Sequence, residues 1–378
     1  MNLDPGEEQK LLAASIARFI ERDYSFAKRT KIVASADGYS GDVWTTMADL
    51  GLLGLPLPAE FGGFGGGAVE TMCVMDAIGE ALIVEPYLAT VGLGAQFVIH
   101  AGSVAQKQRI LPAIGDGRLR MAFAQTETGA RYNLAHVVTR ARRQAGGGYS
   151  IDGRKRVVLH GPCASLLVVS ARTSGDNLDP EGIGLFLVDA QTTGVATHEY
   201  RTLDGLRAAD VVFDNVRIPA DALLGEDHAG FRLIECVVDY ATALVCAEAI
   251  GALRYANDAT LDYLKTRKQF GVPIGAFQAL QHRMVDMVIE YEQAKSMASL
   301  ACASVDAEAD PAARRRMVSA AKIRIADACR HVSQEAIQLH GGMGMSDEVK
   351  ISHTFRRLTM IAQQFGDADH HLERFAAV

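Results

Sequence analysis

From Gly230 to Phe270 apolar side chains recur at helical spacing, over a stretch several times longer than an ordinary helix. A helix of that length can bury its apolar stripe only against other long helices. Two further runs supply them, ALQHRMVDMVIEYEQAKSMASLACASV (279–305) and AARRRMVSAAKIRIADACRHVSQEAIQLH (312–340), with the breaker cluster DAEADPAA (306–313) between them. The spacing therefore predicts a C-terminal four-helix bundle over residues 229–378.

Residues 1–117 also read as helices. Asp4 can cap the first, Pro5 suits its first turn and Glu7 stands at capping-box distance. Glu60–Gly67 is a glycine-rich loop. From 118 to 228 short Val/Leu/Ile runs alternate with turn residues (GGGYSIDGRKRVVLHG, LLVVSART, IGLFLVD, AADVVFDNVRIP), with Asp152–Gly153 as a candidate turn. The expected fold class is α+β, mostly α: an N-terminal helical domain, a middle antiparallel β-barrel or sandwich, and the bundle.

The net charge of −7 argues against a nucleic-acid binder. Six cysteines form no CxxC pair and no His/Cys cluster with metal-ligand spacing, as in a protein with reduced thiols. The acidic start MNLDPGEEQK has no signal-peptide core, and no apolar run was expected to reach the length of a membrane span. The expectation is a cytoplasmic protein with no membrane partner.

The segment RKQFGVPIGAFQALQHR (267–283) is the richest in chemistry. Arg267 can fork two hydrogen bonds onto a pyrophosphate. Phe270 can pack on an apolar cofactor edge, Gly271 and Pro273 end a helix and turn the chain, and Gln278 can read a polar edge. A helix–turn–helix corner with a solvated arginine would use the same residues.

This segment resembles the flavin-binding corner of the acyl-CoA dehydrogenase family. AFAQTETGA (122–130), VVFDNVRIPADALLG (211–225), QLHGGMG (338–344) and LGLLGLPLPAEFGGFGGG (50–67) are similar to further family segments in the same order. Each is weak alone, but the ordered set spans nearly the whole chain. The flavour is that of the small subunit of the pimeloyl-CoA dehydrogenase type. The resemblance implies FAD as cofactor, an acyl-CoA thioester as substrate, and an electron-transfer flavoprotein as acceptor. It implies flavin positions at Phe123, Gln125, Thr126, Arg267, Phe270, Gln278, Gln338, Gly341 and Gly342. Arg267 and the glycine pair would reach the flavin of a neighbouring subunit, hence a homo- or heterotetramer.

The reaction needs a carboxylate to remove an α-proton. The family's Tyr-Glu-Gly-Thr is replaced here by QQFGDADHHLER, where Asp367 or Gly366 falls at the base position depending on the direction of counting. The second family location holds Ala241. Glu248, inside the apolar run LVCAEAI, is the other candidate base; a core carboxylate paired with an arginine would look the same. Asp367 could equally be a helix N-cap. Leu159 stands where the family has a hydroxyl, and Asp239 and Arg207 fall near the thioester by resemblance. A non-catalytic subunit that completes a partner's FAD site is therefore the alternative.

Overall fold

The computed structural model describes residues 6–307 and 310–377. In chain order the helices are α1 (Glu7–Asp23), α2 (Phe26–Ala34), α3 (Gly41–Asp49), α4 (Ala68–Ala81), α5 (Ala95–Ala101), α6 (Val104–Gly115), α7 (Gly230–Thr266), α8 (Gln278–Ala307), α9 (Pro311–His340), α10 (Lys350–Gln363) and α11 (Ala368–Ala376). The strands β1 (Met121–Ala124), β2 (Arg140–Arg143), β3 (Tyr149–Leu159), β4 (Leu166–Arg172), β5 (Ile183–Asp189), β6 (Val195–Arg201), β7 (Arg207–Ile218) and β8 (Leu223–Leu224) precede α7; β9 (Lys268–Gln269) and β10 (Val272–Pro273) follow it. The chain forms two compact units. One gathers residues 1–31, 67–83 and 242–378; the other holds 32–66 and 84–241.

In the helical unit, the N-terminal α4 packs with the C-terminal helices because small residues let the backbones close. A Cβ on Gly79 would meet the Glu248 carbonyl at 1.8 Å, and one on Gly251 the Asp76 carbonyl at 1.8 Å. Arg254 of α7 ties down both Asp76 and Glu80 of α4. Asp306, near the end of α8, accepts from the N–H groups of Ala68 and Val69 at 2.7 and 2.9 Å, satisfying two of the orphan donors of α4. α8 and α9 are the long partners that α7 demands, and α10 and the short α11 complete the bundle. α7 is long and apolar enough to cross a membrane by length and composition, which corrects the expectation that no run would qualify. In fact 94% of its apolar window is buried inside the protein. Asp4 and Pro5 lie outside the described residues. α1 begins at Glu7, and Gln9 rather than Glu7 closes back onto the Gly6 N–H at 2.9 Å.

The other unit is built on an eight-stranded sheet in the order β6–β7–β3–β2–β4–β5–β8, with β1 beside β4. The expected antiparallel barrel or sandwich is corrected on two counts. The sheet is mixed, since β1 and β2 each pair with β4 in parallel. It is also open, because β6 and β8 end the order without meeting. The mixture arises because β1 reaches β4 with β2 and β3 intervening in sequence, so no hairpin joins the pair. Asp152–Gly153 is not a turn: it lies within β3, and β2 turns into β3 at Gln144–Gly148. Tyr149 and Phe186 pack at 4.9 Å in the core of this unit.

Candidate active site

The RKQF corner is a hairpin on the helical unit. β9 and β10 pair antiparallel, and the two residues between them, Phe270 (φ 54°) and Gly271 (φ 82°), both take the positive φ that a tight two-residue turn requires. The sequence led to the expectation of a helix end and a turn there, and the two-strand pairing is what it did not show. The turn holds Phe270 90% exposed, a large apolar surface left for something outside the chain. Arg267 is also exposed, and among the described residues its guanidinium makes no hydrogen bond or ion pair; Gln278, the first residue of α8, is exposed too. The same unit brings the ends of α7 and α9 together. Tyr263 stacks on His340 at 4.6 Å, and burial lowers the imidazole pKa so that the ring stays neutral. Directly after His340, Gly341 caps α9 at φ 59°, ψ −141°, a conformation open to glycine and little else. Gln338, Gly341 and Gly342 are exposed around this cap.

In the β unit, β1 ends at Ala124. Phe123, half-buried, packs against Phe97 at 4.5 Å, and Thr126 is exposed. Gln125 and Thr126 thus lie just beyond the strand rather than on it. A buried lysine fixes this segment. Lys155 of β3 is fully buried and donates to the Gln125 carbonyl (3.2 Å), Glu127 Oε1 (2.7 Å) and Ser170 Oγ (2.8 Å). Burial drives its pKa down to about 8 against the attraction of Glu127, so the ammonium persists at neutral pH. Burial pushes the Glu127 carboxyl up, but Lys155 and the N–H groups around it prevail and hold it below its usual range. The Gln125 side chain donates to the Leu134 carbonyl at 2.8 Å, while its own amide oxygen is buried with no hydrogen-bond partner. An orphaned buried acceptor is costly unless a ligand donates to it. Within the β unit this acceptor suits a ring N–H of a flavin, and within the helical unit the exposed guanidinium of Arg267 suits a diphosphate.

The two carboxylates separate clearly. Glu248 of α7 is 4% exposed and bound by Arg357 of α10 through both oxygens, Nε to Oε1 at 2.5 Å and Nη2 to Oε2 at 2.7 Å. This is the arginine-paired core carboxylate that the sequence also allowed for Glu248. Asp367 caps α11, its Oδ1 accepting from the His370 N–H at 2.9 Å, while Oδ2 makes no hydrogen bond among the described residues. It also lines a cavity of about 350 Å³ with Arg330, Ser333, Phe355, Thr359 and Asp369. The turn that carries Asp367 is held from below: Lys322, fully buried, donates to the carbonyls of Ala362 and Gly366, and His371 to that of Phe365. Arg207 is spent on the carbonyls of Ser35 and Ala36, at 2.7 and 2.6 Å, and Asp239 is buried on α7. Sequence reasoning missed Arg357, Lys155 and Lys322. Arg357 and Lys322 are cations inside apolar-periodic helical runs, the signal that did single out Glu248, whereas Lys155 lies between Arg154 and Arg156 and carries no such signal. Among the described residues no cluster of His, Cys, Asp or Glu could hold a metal ion.

Comparison with known proteins finds three family models in order along the chain. The acyl-CoA dehydrogenase N-terminal, middle and C-terminal domains match residues 6–118, 122–216 and 228–378. The acyl-CoA dehydrogenase FadE12 of Mycobacterium tuberculosis is 31% identical, over 94% of this chain and 92% of its own. The caffeyl-CoA reductase–Etf complex subunit CarC of Acetobacterium woodii is 27% identical, over 93% and 92%. Among solved structures, the acyl-CoA dehydrogenase of Geobacillus kaustophilus superposes with a TM-score of 0.92 at 25% identity, covering 99% of this chain and 98% of that one.

Proposed function

Because this chain belongs to the acyl-CoA dehydrogenase family, we propose that Asp367 is the base for its reaction and that its FAD is shared between protomers. Membership itself makes the protein an FAD-dependent oxidoreductase that dehydrogenates acyl-CoA thioesters. When bound, FAD supplies the acceptor for the β-hydride. Gln125 and Thr126 would meet its ring, Arg267 its diphosphate, Gly341 and Gly342 its adenosine, while Phe123, Phe270, Gln278 and Gln338 wall the same groups. Asp367 Oδ2 would take the α-proton. The observation that carries the assignment is the contrast between Glu248, both of whose oxygens Arg357 occupies, and Asp367, which lines a cavity and commits only Oδ1 to its helix cap.

The oligomer is supported by apolar surface on the helical unit: Phe270 is 90% exposed, and Val285, Val288 and Ile289 of α8 are 55, 42 and 48% exposed. The partner is a second protomer of this or a related chain. Electrons would pass on to an electron-transfer flavoprotein, a reading supported by the relative named as part of an Etf complex. The free thiols of the six cysteines fit a cytoplasmic location. A second reading has its own support, since Asp367 Oδ1 is spent as a helix cap and Leu159 offers no hydroxyl. On that reading a related subunit carries the base and this chain completes its flavin site.

The native complex should be purified, its flavin quantified per chain, and its flavin bleaching followed anaerobically with straight-chain, dicarboxylyl and ring-bearing acyl-CoA thioesters. Asp367→Asn should keep the flavin and slow bleaching by at least about a hundredfold, the usual weight of a positioned base. An undiminished rate in that variant, with loss of rate on removing a partner's carboxylate, decides for the second reading.

A further inference from the structure

β3 and β7 pair Lys155 with Val211 and Val158 with Ala209, so Arg156 and Val157 together oppose a single residue, Asp210. That is a β-bulge, and an unusual one. Val157 takes φ 51°, a region costly for a β-branched residue, and its side chain is 47% exposed. Such strain persists only where the surroundings enforce it, and here the enforcing groups are visible. The Val157 N–H donates to the Tyr200 hydroxyl at 3.1 Å and to Asp210 Oδ1 at 3.4 Å. Tyr200 donates in turn to the same oxygen at 3.0 Å, while Arg154 and Arg156 hold Oδ2 at 2.8 and 2.9 Å. Asp210 is 5% exposed. Burial pushes its carboxyl up, but the bonds from Arg154, Tyr200 and Val157 and the charge of Arg156 hold it below its usual range. The bulge is also tied to the candidate flavin segment, since the Arg156 N–H donates to the Thr126 carbonyl at 2.7 Å.

We propose that Asp210 and Tyr200 are positioning residues for the flavin. They lock the bulge of β3 and, through the Arg156–Thr126 bond, fix the Gln125–Thr126 segment and the exposed Val157 beside the ring. The inference rests on the assignment of Gln125 and Thr126 to the flavin site. A bulge held by a glycine would be free to flex; one held by a carboxylate, two arginines and a phenol sets the distance between β1 and β3 rigidly.

The test uses the flavin-loaded complex. Tyr200→Phe removes only the hydroxyl that bonds Val157 and Asp210, and leaves the arginine pairs of Asp210 intact. It should keep the flavin stoichiometry, alter the visible absorption and fluorescence of the bound flavin, and slow substrate-driven bleaching about fivefold with KM little changed, the weight of one hydrogen bond. Asp210→Ala should exaggerate the same changes, and Tyr200→Phe decides alone if that variant does not fold. Wild-type spectra and bleaching rate in a flavin-replete Tyr200→Phe overturn the inference. A wild-type complex without flavin instead overturns the site assignment, and this inference with it.

Discussion

Arg357 and Glu248, 109 residues apart in sequence, meet as a two-point ion pair whose side chains are 8 and 5% exposed. Breaking such a pair from one side strands a charge in the core. Arg357→Met should cost about 3–5 kcal/mol of stability. Glu248→Met combined with Arg357→Met should recover most of that loss, because no unpaired ion remains. Thermal unfolding midpoints of the two variants check this; equal midpoints would show that the pair contributes packing rather than charge balance.

His371 makes the protein sensitive to acid. Burial first, with Lys322, Arg374 and His370 adding, pushes its pKa down to about 2, against roughly 6.5 in an unfolded chain. Between those values the unfolded chain binds a proton that the folded chain refuses. Stability is therefore full above about pH 6.5 and declines as pH falls below it. His371→Gln keeps a donor for the Phe365 carbonyl and removes the titration. Its melting temperature should fall less than that of the wild type between neutral and mildly acidic pH, and parallel slopes would assign the acid loss elsewhere.

Arg267→Gln tests the cofactor corner. The guanidinium has no partner among the described residues, so its loss should leave folding unchanged. Losing charge-assisted bonds of about 1.5–3 kcal/mol should weaken FAD about ten- to a hundredfold. Flavin retained per chain after dialysis measures it. Undiminished retention would remove Arg267 from the site.

Ile289→Asp places a charge on the apolar face of α8. It should shift the oligomer to smaller species, read by sedimentation velocity, with circular dichroism unchanged. An unaltered sedimentation profile would show that this face lies outside the protomer contact.

The sequence revealed the helices well and the sheet poorly. α7, α8 and α9 are legible because each repeats the same period for many turns, so a local irregularity cannot hide it. The sheet misled because its pairings are non-local. Nothing near Met121 announces that it will lie parallel to Leu166, and Asp152–Gly153 has turn chemistry yet sits inside β3. In the candidate site, Arg267 and Gly341 stood out through the family resemblance, since residue type alone left a solvated arginine and a helix cap equally open. The fate of Glu248 was not, because its partner comes from α10, and an apolar setting looks the same around a base and around a salt-bridged ion. The positive φ of Val157 leaves no trace in a string of valines.

The helical unit takes its pieces from both ends of the chain: Asp306 caps α4 from 238 residues downstream, and Arg254 clasps Asp76 from 178 residues downstream. On the ribosome α1 and α4 therefore emerge long before the residues that will cover them, while everything in the β unit is translated ahead of the C-terminal helices. A nascent chain has to carry α4 uncovered until α7 and α8 have been made, and a stop codon ahead of Asp306 takes from the amino-terminal part the cap of α4 as surely as it removes the carboxyl-terminal helices.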